Sequence, residues 1–218
     1  MQTRAILFAN GEVESYGFLG KLITGKDFLV AVDGGLRHLE ALGLPPDLLI
    51  GDLDSVTPAQ LQRLSGGKTE IIRFPIEKDE TDLELALLEV IKRSVDEIAI
   101  IGGLGGRIDQ TLANLFLLLL PDLTGKNVYM RTQNEKVFVI QEQQAIRGAE
   151  GDLISLIPLT GDANGVTTIG LKYPLMNETL RLERSRGISN RMLTDKAEVK
   201  VKEGVLMCVH TSKSENGE

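Results

Sequence analysis

Cysteine is almost missing from this chain. Cys208 stands alone among 218 residues, which excludes an intrachain disulfide and points to a reducing, cytoplasmic setting. Tryptophan is absent altogether. There is no basic surplus either: the formal net charge is −7, which argues against a general nucleic-acid binder. A local basic pocket for one small anion remains compatible with that charge. Long apolar runs are missing too. The longest, Leu115–Leu120, is far too short to span a bilayer, so no membrane partner is expected. Met1–Ala9 carries Arg4 but no apolar core of signal-peptide length, and Thr211–Glu218 is a polar tail. What is present is ordinary for a soluble globular protein: 42% apolar and 25% charged residues, in a length that suits one large domain or two small ones.

Up to Pro121 the pattern alternates. Ala5–Ala9, Phe28–Val32, Leu48–Gly51, Thr69–Phe74 and Ile98–Ile101 are short apolar runs that predict buried strands. Between them, Leu36–Leu42, Pro58–Leu64, Thr81–Ser94 and Arg107–Leu120 predict helices. Near-continuous apolar strands alternating with helices imply a mostly parallel, doubly wound α/β sheet covered on both faces. After Pro121 the pattern changes to strands alone: 127–132, 136–142, 152–159, 165–173, 179–182 and 197–209. Turn residues such as Asn134, Gly148, Gly161, Gly187 and Gly204 punctuate them, which predicts an antiparallel β-sandwich. The expected division is 1–126 for the α/β domain and 127–218 for the sandwich.

In a doubly wound sheet, ligands gather beyond the carboxyl ends of the strands. Those ends are Asp33-Gly-Gly, Gly51-Asp-Leu-Asp-Ser55, the segment Pro75–Asp82, and Gly102–Arg107. Asp52 and Asp54 are two residues apart, which on an extended chain places them on one side. Like charges so placed need a cation or a shared proton, and magnesium takes oxygen ligands beside substrate phosphates. The competing explanation is a turn in which Asp and Ser cap the helix after Pro58. Asp82 is positioned to complete a triad with Asp52 and Asp54. Asp79 suits the N-cap of the following helix, with Asp82 at its third position. Lys78 fits either a phosphate or the surplus acidic charge.

Gly102–Arg107 is a glycine-rich turn into a helix, of the kind that lets backbone amides approach phosphate. It fails the dinucleotide pattern, because Ile108 stands where the last glycine belongs. Gly66-Gly67-Lys68-Thr69 likewise fails as a phosphate-binding loop, since Gln62 occupies the first glycine position. Arg107 opposes a helix dipole, which a phosphate would justify, and Asp109 beside it suits ordinary capping. Asn114, a turn further on, is either a ligand contact or a polar edge residue. His38 and His210 are isolated in the sequence and receive no catalytic role. Cys208 lies in an apolar strand and belongs to the core. Arg186-Gly-Ile-Ser-Asn190 interrupts the strand pattern as a turn, or as a source of hydroxyl and amide groups.

Taken in order, Asp33-Gly-Gly, Gly51-Asp-Leu-Asp-Ser55, Lys78-Asp-Glu-Thr-Asp82, Gly105-Gly-Arg-Ile-Asp-Gln110 and Gly187-Ile-Ser-Asn190 resemble the motifs of the thiamine pyrophosphokinase (thiamine diphosphokinase) family. The resemblance covers about the whole chain. It implies transfer of a pyrophosphoryl group from ATP to the thiamine hydroxyl, with Mg2+ held by Asp52, Asp54 and Asp82. It also implies that Lys78, Thr81, Gly103, Gly105 and Arg107 position phosphates or reacting groups, and that Asp109 and Gln110 line the substrate site. Ser189 and Asn190 would face the pyrimidine, within a homodimer whose sites are shared between subunits. Asp33 and Asp79 match the motifs without an assigned role. The chain departs from the family in three places. It lacks the Trp some members set against thiamine, Gln110 stands where many bacterial members have His, and Arg191 adds bulk after Asn190. Two other readings share the same residues: a metal-dependent phosphohydrolase, and a sensor that binds without turnover.

Overall fold

The computed structural model describes residues 4–213. The first three residues, and the polar tail from 214 on, lie outside them. The chain divides into two compact units, Met1–Gln133 and Asn134–Glu218.

In the first unit strands and helices alternate: β1 (Arg4–Phe8), α1 (Tyr16–Leu22), β2 (Phe28–Val32), α2 (Leu36–Ala41), β3 (Leu48–Gly51), α3 (Pro58–Ser65), β4 (Glu70–Arg73), α4 (Asp82–Ile91), β5 (Glu97–Ile101), α5 (Ile108–Leu117) and β6 (Asn127–Arg131). The strands pair in parallel in the order β6-β5-β1-β2-β3-β4. Ile6, Leu7, Val30, Leu49, Ile98 and Ile100 are fully buried. Strands covered on both faces need no polar alternation, which explains their continuous apolar sequence. The parallel α/β expectation therefore holds. β6 belongs to this sheet, running from Asn127 opposite Glu97 to Met130 opposite Ile100. The two compact units meet at 133/134.

From β1 the chain winds outward through β4, then returns to the other side of β1 as β5 and β6. The order reverses between β1 and β5, the place where such sheets open a crevice. Here the turns after the two strands are tied together. Ala9 N donates to Ile101 O at 2.8 Å and Gly11 N to Gly102 O at 3.0 Å. A Cβ on Gly11 would lie 2.2 Å from that Gly102 oxygen, so the approach requires glycine. Two side chains of α2 hold the turn from the other side. Arg37 Nη2 donates to the carbonyls of Asn10 and Gly11 at 2.6 and 2.9 Å. Buried His38 lies 2.9 Å from Gly11 O through Nε2 and 3.0 Å from Tyr16 Oη through Nδ1. A carbonyl only accepts, so Nε2 carries the proton and Nδ1 accepts from the tyrosine hydroxyl. Burial holds the His38 imidazole below its usual pKa. His38 thus anchors the switch-point turn.

The second unit contains strands only, among its described residues: β7 (Glu135–Ile140), β8 (Gln143–Arg147), β9 (Leu153–Pro158), β10 (Ala163–Ile169), β11 (Met176–Leu180), β12 (Asn190–Arg191), β13 (Lys196–Lys200) and β14 (Leu206–Thr211). They form two antiparallel sets, β12-β9-β14-β7 and β11-β10-β13-β8. Ile140, Leu156, Val166, Val199, Leu206 and Cys208 share one core cluster drawn from both sets, as a sandwich requires. Burial pushes the Cys208 thiol up to about 12, so it is an inert core residue. The segment 197–209 is two strands, β13 and β14, parted at Gly204.

Candidate active site

Because the six strands of the first unit run parallel, the ends of β2, β3, β4 and β5 lie on one edge. Asp33 opens a 3₁₀ turn, Asp33–Gly35, directly after β2. Asp52 follows β3, and Asp82 is the first residue of α4. One carboxylate oxygen from each of these three lies within 4.8 Å of the others. Lys78 joins them, with Nζ 3.1 Å from Asp82 Oδ1 and 3.7 Å from Asp52 Oδ2. It also donates to Pro75 O at 3.0 Å.

Three acids against one lysine leave net negative charge in a partly covered place. Burial pushes the Asp82 carboxyl above the ordinary value; Asp52 and Asp33 add to the rise and Lys78 opposes it. For Lys78, burial acts downward, but Asp82 and Asp52 outweigh it and the ammonium pKa is raised. Asp33 Oδ1 is buried without a hydrogen-bond partner. Asp82 Oδ1, though close to Lys78, also lacks a hydrogen bond of proper geometry. A close set of hard oxygen donors with unmet electrostatic demand fits a divalent cation such as Mg2+.

Asp54 lies outside this group of three. The sequence argument assumed an extended chain from Asp52 to Asp54, but Leu53 has φ +63°. A left-handed residue turns the chain and breaks the i, i+2 alignment. Leu53 is 5% exposed, so burial of its side chain offsets the backbone strain. Asp54 N donates to Asp52 Oδ1 at 3.0 Å, and Asp54 Oδ1 accepts from Ser55 Oγ at 3.0 Å. Neither Asp54 nor Ser55 caps the next helix. Thr57 does so, in a reciprocal capping box with Gln60.

Thr81, not Asp79, is the N-cap of α4. Its Oγ1 accepts from Glu84 N at 3.2 Å, and Asp82 is the first helical residue rather than the third. In the glycine-rich turn, Asn114 Nδ2 donates to Gly103 O at 2.8 Å and Thr111 Oγ1 to Gly105 O at 3.1 Å. The buried Asn114 therefore pins the turn to α5. Arg107 pairs with Asp109 in the first turn of α5, with both side chains in solvent. The pairing raises the Arg107 pKa and lowers that of Asp109, chiefly through the hydrogen bond between them. Gln110 N donates to Asp109 Oδ1 at 2.9 Å.

In the second unit, Ser189 is left-handed, with φ +56°, and its N–H donates to Ser155 Oγ at 3.0 Å. The Asn190 amide is engaged on both sides. Nδ2 donates to Tyr173 O at 2.7 Å, and Oδ1 accepts from Tyr173 N at 3.0 Å and Arg191 N at 2.9 Å. Asn190 thus clamps the backbone of Tyr173, a residue that is 58% exposed. Sequence reasoning singled out neither Tyr173 nor Arg37, and it left Asp33, at the end of a strand, without an assigned role.

A group of acids and one lysine at the carboxyl edge of a switch-point sheet, in a chain that also carries an antiparallel sandwich, defines a two-domain α/β protein suited to metal-bridged phosphate. The family model "Thiamin pyrophosphokinase, catalytic domain" matches residues 19–130, and "Thiamin pyrophosphokinase, vitamin B1 binding domain" matches residues 137–206. The thiamine pyrophosphokinase of Bacillus subtilis is 29% identical over 185 residues, covering 84% of this chain and 86% of the relative. A crystal structure of the thiamine pyrophosphokinase from that organism superposes with a TM-score of 0.85 at 26% identity, over 98% of this chain and 100% of that one. A thiamin pyrophosphokinase family protein from Enterococcus faecalis shares the fold, with a TM-score of 0.80 at 24% identity over 98% and 100% of the two chains. The chain belongs to the thiamine pyrophosphokinase family, the thiamine diphosphokinases.

Proposed function

We propose that this chain transfers the pyrophosphoryl group of ATP to the hydroxyl of thiamine, giving thiamine diphosphate and AMP. The observation that carries this reading is the acid group with Lys78 at the sheet edge of a chain bearing both family domains. Asp52 and Asp82 hold Mg2+, with Asp54 contributing from the exposed turn beside them. Bound there, the ion neutralises phosphate charge as a Lewis acid. Lys78 stays protonated and offers its charge to phosphate oxygens. Thr81, Gly103, Gly105 and Arg107 position the triphosphate. Asp109 and Gln110 line the acceptor site, and Ser189 and Asn190 face the pyrimidine. Asn190 holds the Tyr173 backbone, and the exposed Tyr173 side chain suits a cationic heterocycle.

The thiamine hydroxyl oxygen attacks the β-phosphorus. A new O–P bond forms, the bond to the α-phosphate oxygen breaks, and AMP leaves with that oxygen. A carboxylate of the acid group takes the hydroxyl proton. Such transfers depend on positioning and charge neutralisation rather than covalent help. We further propose a homodimer with shared sites. Ile108, Leu112 and Phe116 form an exposed apolar stripe at helical spacing on α5, and Ile169 and Met176 are exposed in the second unit; both support a second copy. The single, buried cysteine supports a cytoplasmic location.

The test is AMP release from ATP and Mg2+, with and without thiamine, beside Asp52→Asn and Asp54→Asn. The expected result is AMP only with thiamine, with both variants depressed. Phosphate release without thiamine would replace this reading with the phosphohydrolase, and ligand binding with no turnover would replace it with the sensor.

A further inference from the structure

We infer that His38 and Arg37 of α2 position the glycine-rich turn Gly102–Arg107 for the nucleotide phosphates, acting on it through the Asn10–Gly11 turn. They are positioning residues, working through backbone rather than on the reacting atoms. The inference rests on the proposed placement of the triphosphate by Gly103, Gly105 and Arg107, and adds the means by which that turn is held.

The two turns interlock. Gly11 N donates to Gly102 O, and a Cβ on either glycine would strike the other turn. At Gly102 it would lie 2.6 Å from Ala9 O and 3.3 Å from Gly11 O. Gly102 also has φ +69°, so backbone passes backbone with no side chain between them to absorb a shift. A displacement of Asn10–Gly11 therefore moves Gly102, where the glycine-rich turn begins. On the far side, α5 holds that turn through Asn114 on Gly103 O and Thr111 on Gly105 O. On the near side the hold runs through Gly11, whose carbonyl accepts from both Arg37 Nη2 and His38 Nε2 at 2.9 Å. Those two donors fill both lone pairs of one oxygen. The hydrogen bonds of Arg37 among the described residues all go to this turn, and it makes no ion pair there. His38 is 1% exposed, with both ring nitrogens engaged. The groups facing it are the Tyr16 hydroxyl, the Arg37 guanidinium and the carbonyls of Ala9 and Gly11, with no carboxylate among them. Burial keeps such a ring neutral. It thus serves as a fixed donor to Gly11 and has no free nitrogen for proton transfer.

The test sets His38→Leu, which removes the donor, against His38→Gln, whose amide nitrogen can take the place of Nε2 and still donate to Gly11 O. AMP formation is followed while ATP and thiamine are varied separately. His38→Leu should raise the ATP KM about 10-fold and leave the thiamine KM within about 2-fold. His38→Gln should bring the ATP KM back to within about 3-fold of wild type. Arg37→Met, an exposed change on the same carbonyls, should raise the ATP KM about 3-fold, and it decides the matter if His38→Leu does not fold. Hydrogen exchange at the Gly11 amide reads the turn without turnover, and should quicken in His38→Leu and Arg37→Met. A merely structural role would lower the melting temperature and the active fraction but leave both KM values in place. The inference is overturned if the ATP KM is unmoved in the folded variants, if His38→Gln is no better than His38→Leu, or if the thiamine KM rises as much as that for ATP. The two readings fail separately. Thiamine-dependent AMP with the ATP KM unmoved by His38→Leu and Arg37→Met sinks the inference alone. A wild type that forms no AMP, but whose calorimetric ATP affinity falls in His38→Leu and returns in His38→Gln, sinks the proposed function alone.

Discussion

Each unit of this chain covers an acid, and the two are treated in opposite ways. In the sandwich, Asp152 is 3% exposed and fully served. Its Oδ2 accepts from Ala149 N at 2.9 Å and lies 2.8 Å from His210 Nε2, and its Oδ1 accepts from Lys213 N at 2.8 Å. Burial raises its pKa, but the Lys213 amide, His210 and the Ala149 amide together hold it below the ordinary carboxylate value. At the edge of the parallel sheet, Asp33 and Asp82 keep unbonded oxygens, and Asp82 is pushed upward instead. The sandwich uses an acid to close its structure. The sheet edge retains acids at a cost to stability, and such a cost persists where function requires it.

The sharpest way to break this contrast is to remove one acid from each side. Asp82→Asn is expected to reduce thiamine-dependent AMP formation by about 10³-fold, or about 4 kcal/mol of transition-state stabilisation. Its metal-free urea midpoint should hold steady or rise slightly, because the lost charge was disfavoured by burial. Asp152→Ala should do the reverse. Unfolding in urea should show a loss of about 2–4 kcal/mol, since three donors lose their acceptor in a buried place. Turnover per folded molecule at 25 °C should stay near wild type. The contrast collapses if Asp82→Asn unfolds the protein or if Asp152→Ala abolishes turnover at unchanged stability.

Acid titration tests the same contrast by sign. The Asp152 pKa is lowered from 3.8, so the unfolded chain binds its proton first as pH falls. Its stabilisation is therefore complete above the unfolded value and is lost as pH drops through the folded one. Asp82, raised from 3.8, behaves oppositely. Its penalty is absent below 3.8 and grows as pH rises through its folded value. The stability gap between wild type and Asp152→Ala should be constant from neutrality down to about pH 4 and shrink below it. Urea midpoints collected from pH 7 to pH 3 would show this, and a gap that widens in acid would contradict the assignment.

Much of the parallel half was legible because doubly covered strands advertise themselves as apolar runs, and their ends then name the edge where acids meet. The sandwich was less legible at its margins. β8 (Gln143-Gln-Ala-Ile-Arg147) escaped notice and β11 (Met176-Asn-Glu-Thr-Leu180) was placed late, because both are edge strands of one sheet with a single buried residue apiece. His210 and Asp152 are 58 residues apart, a pairing no local pattern announces. The acid site was half legible. The closeness of Asp52 and Asp82 follows from position, but that Asp54 lies outside the close group of Asp33, Asp52 and Asp82 turns on the backbone of Leu53, which spacing along an extended chain cannot foresee. α1 was hidden by its two glycines, Gly17 and Gly20, which lower helix propensity.

The smallest expected effect probes how the sheet edge is assembled. The Thr81 hydroxyl already accepts from Glu84 N, so it serves α4 and, through the start of that helix, the placement of Asp82. Thr81→Ala should cost about 1 kcal/mol of stability, and Thr81→Ser should restore it. If the hydroxyl acts only as a cap, ATP affinity should fall by no more than a few-fold and return with the serine. If it also meets phosphate, ATP affinity in Thr81→Ala should fall well beyond the stability loss, and removing the nearby charge by Lys78→Met should then cost less than it does in wild type. A double-mutant cycle on Thr81 and Lys78, read by ATP binding, separates the two. Additive losses mean that Thr81 builds the edge, and coupled losses mean that it also reaches the ligand.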